Sequence, residues 1–488
     1  MTHPAESAIP AARETVAPLS FSQEQLWLLQ SVHPELTAYN LPRVFRLRGR
    51  LDEGALERAF QAVIARHAVL RSRFAEVAGE ARQIVQDSVP FALERVDLRG
   101  LTPEARQGAL DALVERTAAH VFDLDRAPLM VARLARLGDE THVLAVCLHH
   151  IVSDGGSNPI LARELAEAYA LAMRSSDPVH LGELPLQYAD HAAWQRTQAA
   201  QGRFAPQLAH WQAHLGAQVP ALDLPTDYLR PVRQRFEGAA LYFDLPPALA
   251  AALERLCRAE KCTPFVLLLA AWQVLLARCS GQDEFAIGVP GAGRQREEVQ
   301  ALLGFFVNTQ VFRVRLAPAL SLRQVLRQVR TDALAALEHA ELPFELLLAN
   351  RSERRDPARN PLFQAMFGLQ MGDAAQALRF GEVQVEPMAF AERSAKFDLS
   401  LDITVQPGRL RGRLEYATTL FELATAQRLA DFYVSLLETM VADPQRLVGQ
   451  IVLPGEAERA VLRVWERNES GHGDARPVHA LIEARVEL

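Results

Sequence analysis

Lysine is nearly absent from this chain. Lys261 and Lys396 stand alone against fifty arginines in 488 residues, so a Schiff-base mechanism would have only two candidate amines. No basic stripe stands out against a formal charge of -7 and a pI near 6.1, which disfavours a nucleic-acid partner. Cysteine is scarce as well. Cys147, Cys257, Cys262 and Cys279 each lie among apolar residues and form no C-x-x-C pair. They read as buried free thiols of a reducing compartment, and no metal site is expected. The first twenty residues lack a basic start followed by an apolar run, so no signal peptide is expected. The most apolar stretch, 265–277, is interrupted by Gln273 and is too short to span a bilayer. It suits a buried helix capped by Thr263 with Pro264 in its first turn. A cytoplasmic protein without a membrane span follows as the expectation. A G-x-S-x-G elbow and a Walker A loop are also missing.

Apolar residues are abundant, at 49%. At roughly 100–200 residues per domain the length suggests two to four domains. Residues 1–18, rich in Pro and Ala, read as a flexible segment. Helical spacing is expected over 20–30 with Ser22 as a possible cap, over 53–67, and over 158–174 after Ser157. Alternation predicts strands at 42–49, 81–87, 129–137 and 141–150. The run 175–184 (SSDPVHLGEL) has Ser, Pro and Gly without periodicity and marks the best internal boundary. Beyond it come helices near 187–216, 247–260, 264–278, 321–338 and 421–442. Strands are expected at 239–244, 283–288, 364–370, 397–405 and 409–416, with 304–315 between. Two mixed α/β halves result. Trp27, Trp194, Trp211 and Trp272 are most economically core residues.

The sharpest local feature is 149–157, HHIVSDGGS. Successive strand side chains point to opposite faces, so His149 and His150 face different ways. One faces packing and the other a cleft. A neutral imidazole there can accept a proton or hold an amine. Asp154 either orients a histidine or pairs with an arginine. Gly155 and Gly156 permit positive φ and close approach of a ligand. Ser157 is a candidate cap for the next helix.

This segment is one of seven that together resemble the condensation domains of nonribosomal peptide synthetases. The others are 19–29 (LSFSQEQLWLL), 66–74 (RHAVLRSRF), 188–194 (YADHAAW), 304–310 (GFFVNTQ), 339–345 (HAELPFE) and 355–362 (RDPARNPL). The resemblance covers about residues 19–450. It implies an α/β fold of two chloramphenicol-acetyltransferase-like lobes in a V-shaped pseudo-dimer, 19–178 and 179–453, with a tunnel between them. It implies an acyltransferase with no permanently bound cofactor, whose substrates ride on phosphopantetheine or coenzyme A. It places His150 at the reaction centre beside His149, with Asp154 held by an arginine and Gly155 lending backbone to the channel. Arg66, Arg71 and Arg294 are the candidate partners of Asp154. Gly156, Ser157 and Asn308 are support or tunnel residues. Gly156 stands where many relatives carry a larger residue, a hint of a locally wider site. The intact histidine pair disfavours a heterocyclising domain, which would have aspartate at the first position, and a catalytically dead recruiting domain.

Met1 lies eighteen residues before the first motif. This favours a donor arriving in trans, as acyl-CoA or on an acyl carrier protein, and a starter domain that fatty-acylates the first amino acid of a lipopeptide. An elongating domain with a peptidyl donor and a non-catalytic carrier-docking module are the alternatives. Residues 454–488 read as a linker, and 477–487 (PVHALIEARVE) resembles the opening of an adjacent adenylation domain. A peptidyl carrier protein is the expected partner.

Overall fold

The computed structural model describes residues 8–351, 356–372, 378–406 and 408–453, with a few isolated positions beyond. The expected linker and adenylation-domain opening at 454–488, and Arg355 of the seventh motif, lie outside the described residues.

The N-terminal half runs β1 (Val16–Pro18), α1 (Phe21–Val32), β2 (Asn40–Arg48), α2 (Glu53–Arg66), β3 (Ser72–Val77), β4 (Glu80–Val85), β5 (Glu94–Asp97), α3 (Pro103–Ala118), β6 (Met130–Arg136), β7 (Thr141–His149) and α4 (Asn158–Ala172). Two connecting helices follow, α5 (Tyr188–Ala200) and α6 (Ala205–Leu215). The C-terminal half holds β8 (Gly238–Asp244), α7 (Pro247–Glu260), α8 (Pro264–Ser280), β9 (Glu284–Gly291), β10 (Asn308–Arg315), α9 (Leu322–Glu338), α10 (Phe344–Ala349), β11 (Ala365–Met371), β12 (Gln384–Pro387), β13 (Leu399–Gln406), β14 (Arg409–Ala417) and α11 (Leu423–Ala442).

Each half is built on its own sheet. The first has strand order β12-β2-β7-β6-β5 and the second β10-β9-β11-β13-β14-β8; a small β1-β4-β3 sheet flanks the first. Local chemistry starts the helices. Ser20 and Gln23 form a reciprocal capping box on α1, so Ser20 and not Ser22 is the cap. Thr263 accepts from Val266 N at the start of α8, with Pro264 in the first turn. That helix is buried throughout 266–277 in the core of the second lobe. No single helix among the described residues is long and apolar enough to cross a membrane.

Three further expectations need correction. The helix expected over 187–216 is two helices. Gly202 at φ +74° breaks it, and Pro206 restarts it in the first turn of α6. Residues 8–18 are not a free segment: Ile9 is buried, Ala12 N and Arg13 N donate to Asp190 Oδ1, and β1 pairs with β4. The two halves also exchange chain. β12 comes from the C-terminal half yet lies antiparallel to β2, with Val385 opposite Leu47. Leu184, Leu186, Tyr188, Leu302, Phe306 and Phe380 pack in the first lobe's core, so that core does not end at 178.

Candidate active site

β7 delivers the histidine pair to the junction of the lobes. Its backbone is held to the end: His149 N donates to Leu129 O at 3.0 Å and His150 N to Tyr39 O at 2.8 Å. The chain then leaves the strand in a short helical turn, 150–152. His149 is buried. Its Nδ1 accepts from Ile151 N at 3.2 Å, and its ring meets Phe122 edge-on at 5.9 Å between centroids. His150 is half-buried, set between Phe305 at 4.6 Å and Tyr39 at 6.3 Å. Its Nδ1 is enclosed, which leaves Nε2 as the nitrogen that can meet a substrate. Burial, and then the nearby Lys396 ammonium, push His149 down to about 3 and His150 well below the usual imidazole range. Both rings are therefore neutral at physiological pH.

Asp154 is fully buried and fully engaged. Its Oδ1 accepts from Ser157 N at 2.8 Å and from Arg294 Nη2 at 3.0 Å, and lies 2.7 Å from the Ser157 hydroxyl; its Oδ2 accepts from Phe306 N at 2.9 Å. Arg294 also donates to Val299 O and Leu302 O and lies 4.1 Å above the Phe306 ring. Asp154 thus pairs with an arginine and makes no hydrogen bond to either histidine. It fastens the bridging segment 294–306 to the histidine turn, and Phe305 is thereby set against His150. From the other side, Tyr188 Oη donates to Phe305 O at 2.6 Å and lies 2.9 Å from Ser20 Oγ. The first, third, fourth and fifth motifs meet at this point.

The remaining candidates separate. Arg66 pairs with Glu164 at 3.3 Å and bonds the carbonyls of Leu181 and Gly182, while Arg71 bonds those of Gln86 and Asp87. Neither reaches Asp154. Ser157 does not cap α4 with its side chain, because its hydroxyl is spent on Asp154, Gly304 and Arg294. Gly155 and Gly156 do not adopt positive φ. A Cβ on Gly155 would meet open space, whereas one on Gly156 would lie 2.9 Å from Arg294 Nε. The missing side chain at Gly156 therefore makes room for Arg294 and does not widen the site. Asn308 Nδ2 donates to Ala340 O and Leu342 O, and its Oδ1 accepts from Phe344 N. It also borders a small recess that includes Ser22, Trp194 and Phe305 in its wall.

Three neighbours of the histidines were not among the expected site residues: Tyr39, Phe305 and Lys396. Phe305 falls inside a motif, and Lys396 carried the signal of rarity. Tyr39 carried none. Near Lys396 the second sheet presents a charged row, with Asp402 on β13 facing Arg413 on β14, which in turn faces Tyr242 on β8. Arg413 bonds Asp402 at 2.9 Å, Glu415 at 2.7 Å, and Glu392. A Cβ on Gly368 in β11 would lie 2.2 Å from Asp402 Oδ1, so only glycine leaves that carboxylate its place. Burial raises the pKa of Asp402 although 31% of its side chain meets solvent.

A family model described as "Condensation domain" matches residues 13–463. The chain belongs to the condensation-domain family. Condensation domains are amide-forming acyltransferases of nonribosomal peptide synthetases. This one is 38% identical over 482 residues to one chain of the linear gramicidin synthase of Brevibacillus parabrevis, covering 98% of this chain and 6% of that protein. It is 35% identical to one chain of the plipastatin synthase of Bacillus subtilis (strain 168), covering 99% and 18%. The chain therefore spans under a fifth of the length of either relative. Among solved structures it is similar to the X-domain from teicoplanin biosynthesis, with TM-score 0.83, 27% identity and coverage of 91% and 100%. The first condensation domain of the CDA synthetase, at TM-score 0.74 and 22% identity over 90% and 99%, shares the fold.

Proposed function

We propose that this condensation domain joins a donor acyl thioester to the amine of an aminoacyl group carried on the phosphopantetheine arm of a peptidyl carrier protein, with His150 at the reaction centre. The observation that carries this reading is the half-buried, neutral His150, gripped by Tyr39 and Phe305 at the lobe junction. An α-amine titrates near pKa 7.7–8.0 and must be neutral to attack. An imidazole pushed well below its ordinary range is a weak base yet still accepts a hydrogen bond. His150 is thus better suited to aligning the amine than to stripping a proton from an ammonium. His149, Asp154 and Gly155 then serve the site by shape, with Gly155 offering bare backbone.

The domain works on this reading in the cytoplasm, beside an adenylation domain, and holds no permanent cofactor. The finer proposal is the starter role, in which the donor is a fatty acyl group on coenzyme A or an acyl carrier protein. An elongating role, with a peptidyl donor, yields a product of different mass. Each donor class is offered with one aminoacyl-loaded carrier, and the product is weighed. The parent protein is expected to form the amide, and His150→Ala to lose at least about 100-fold in rate. Carrier binding without any product would show a docking module. H150A turnover within tenfold of the parent would remove His150 from the reaction.

A further inference from the structure

One of the two lysines stands beside the histidine pair, and its ammonium has no ion-pair partner among the described residues. Lys396 lies in the segment between β12 and β13, and its ammonium sits 5.1 Å from the centroid of the Tyr39 ring. The carbonyl of the same Tyr39 holds the His150 N–H. The backbone of Lys396 is clamped on both sides: its N donates to Glu415 Oε1, and its carbonyl accepts from Gln234 Nε2 and Asn360 Nδ2. The seventh motif, through Asn360, therefore fixes where this lysine stands. The ammonium feels the carboxylates of Glu415 and Asp402 without pairing with either. The nearby carboxylates Asp402 and Glu415 are both held by Arg413, and no ion pair or hydrogen bond of the ammonium occurs among the described residues. Desolvation lowers its pKa, and both imidazoles feel its charge.

A partly buried ammonium without a counter-ion is costly and is relieved when negative charge develops nearby. The proposed reaction develops such charge. The amine lone pair forms the C–N bond at the thioester carbonyl, and the carbonyl π electrons move onto oxygen. Collapse of that oxyanion breaks the C–S bond, and the amine proton ends on the departing sulfur as a thiol. We propose that Lys396 supplies the positive charge that offsets the oxyanion formed beside His150. This rests on His150 being the reaction centre. A second consequence follows from the same charge: it opposes protonation of His150. The groups facing His150 are His149 in its own turn, Lys396, Tyr39 before β2 and the uncharged Phe305 before β10.

Lys396→Met keeps length and removes charge; Lys396→Arg keeps charge. Steady-state rates with one loaded carrier are measured across pH, with thermal melting alongside. The expected result for K396M is a kcat about tenfold to hundredfold lower, a KM within about twofold, an unchanged melting temperature and an acid limb moved to higher pH. K396R should retain most of the rate. A K396M kcat within twofold of the parent overturns the proposal. So does an equal loss in K396R and K396M with a lowered melting temperature, which marks a packing role. His150→Ala runs in parallel. If H150A is active, the reading of His150 has failed; if H150A is dead and K396M is normal, only the role of Lys396 has.

Discussion

Asp154 shows how much one buried carboxylate organises. It lies at zero exposure and gathers donors from its own turn, from Arg294 and from the backbone of Phe306, across 140 and 152 residues of chain. Burying such a charge is tolerable only while every partner stays in place. Arg294→Ala removes the cation, two carbonyl contacts and the platform over Phe306. The expected cost is about 3–5 kcal/mol, the range for breaking a buried pair. It should appear as a lower urea midpoint with an unchanged slope, together with loss of activity as Phe305 leaves His150. A variant within about 1 kcal/mol of the parent would show that the serine and backbone donors alone hold Asp154. The sequence could name Asp154 and three candidate arginines but could not choose among them. Arg294 lies in a segment that crosses from the other lobe, and proximity across 140 residues leaves no local trace in composition or spacing.

At the scale of elements, the legible features were those with local causes. Helix α8 follows from an apolar run with Thr263 and Pro264 before it, and β7 from alternation that ends at the histidines. What escaped notice was short or non-local. β12 has four residues and owes its existence to the free edge of β2. The turn at 339–344 likewise depends on a distant side chain, because Asn308 at the head of β10 satisfies two of its carbonyls and one of its amides. The pattern of the fifth and sixth motifs thus reflects one contact. Asn308→Ala abandons three hydrogen bonds at a net value of about 0.5–1.5 kcal/mol each, so a loss of about 2–4 kcal/mol is expected in urea unfolding. Asn308→Asp is the sharper test. It keeps an acceptor for Phe344 N but turns a second oxygen toward two carbonyls, and should be at least as damaging as the alanine. An aspartate variant as stable as the parent would refute this account of the turn.

The whole molecule places neutral histidines where the lobes and their connecting helices close on one another, and that has a consequence for acid stability. Burial takes His149 down to about 3. Burial, with Arg294 and Arg296, takes His191 to about 4, and burial, with His210 and Arg315, takes His214 to about 4. His150 is shifted in the same direction. In the unfolded chain a histidine titrates near pKa 6.5. Below that value the unfolded state binds protons that the folded state refuses, so stability rises with pH up to about 6.5 and falls as pH drops below it. His149, almost fully enclosed, alone contributes a loss of about 1.4 kcal/mol per pH unit, or about 2 kcal/mol by pH 5. The partly exposed His191 and His214 add to this by less, since solvent screens them. The urea midpoint should therefore be flat above about pH 7 and drop between about pH 6.5 and 5, less steeply than the histidines alone would give, because burial raises Asp332 to about 6 and its protonation in the folded state opposes the loss. His149→Gln removes one titrating group, so its midpoint should fall less steeply over that window whatever its absolute stability. Parallel slopes for parent and variant would mean that His149 takes up its proton in the folded state, and the neutral histidine pair on which the proposed chemistry depends would have to be abandoned.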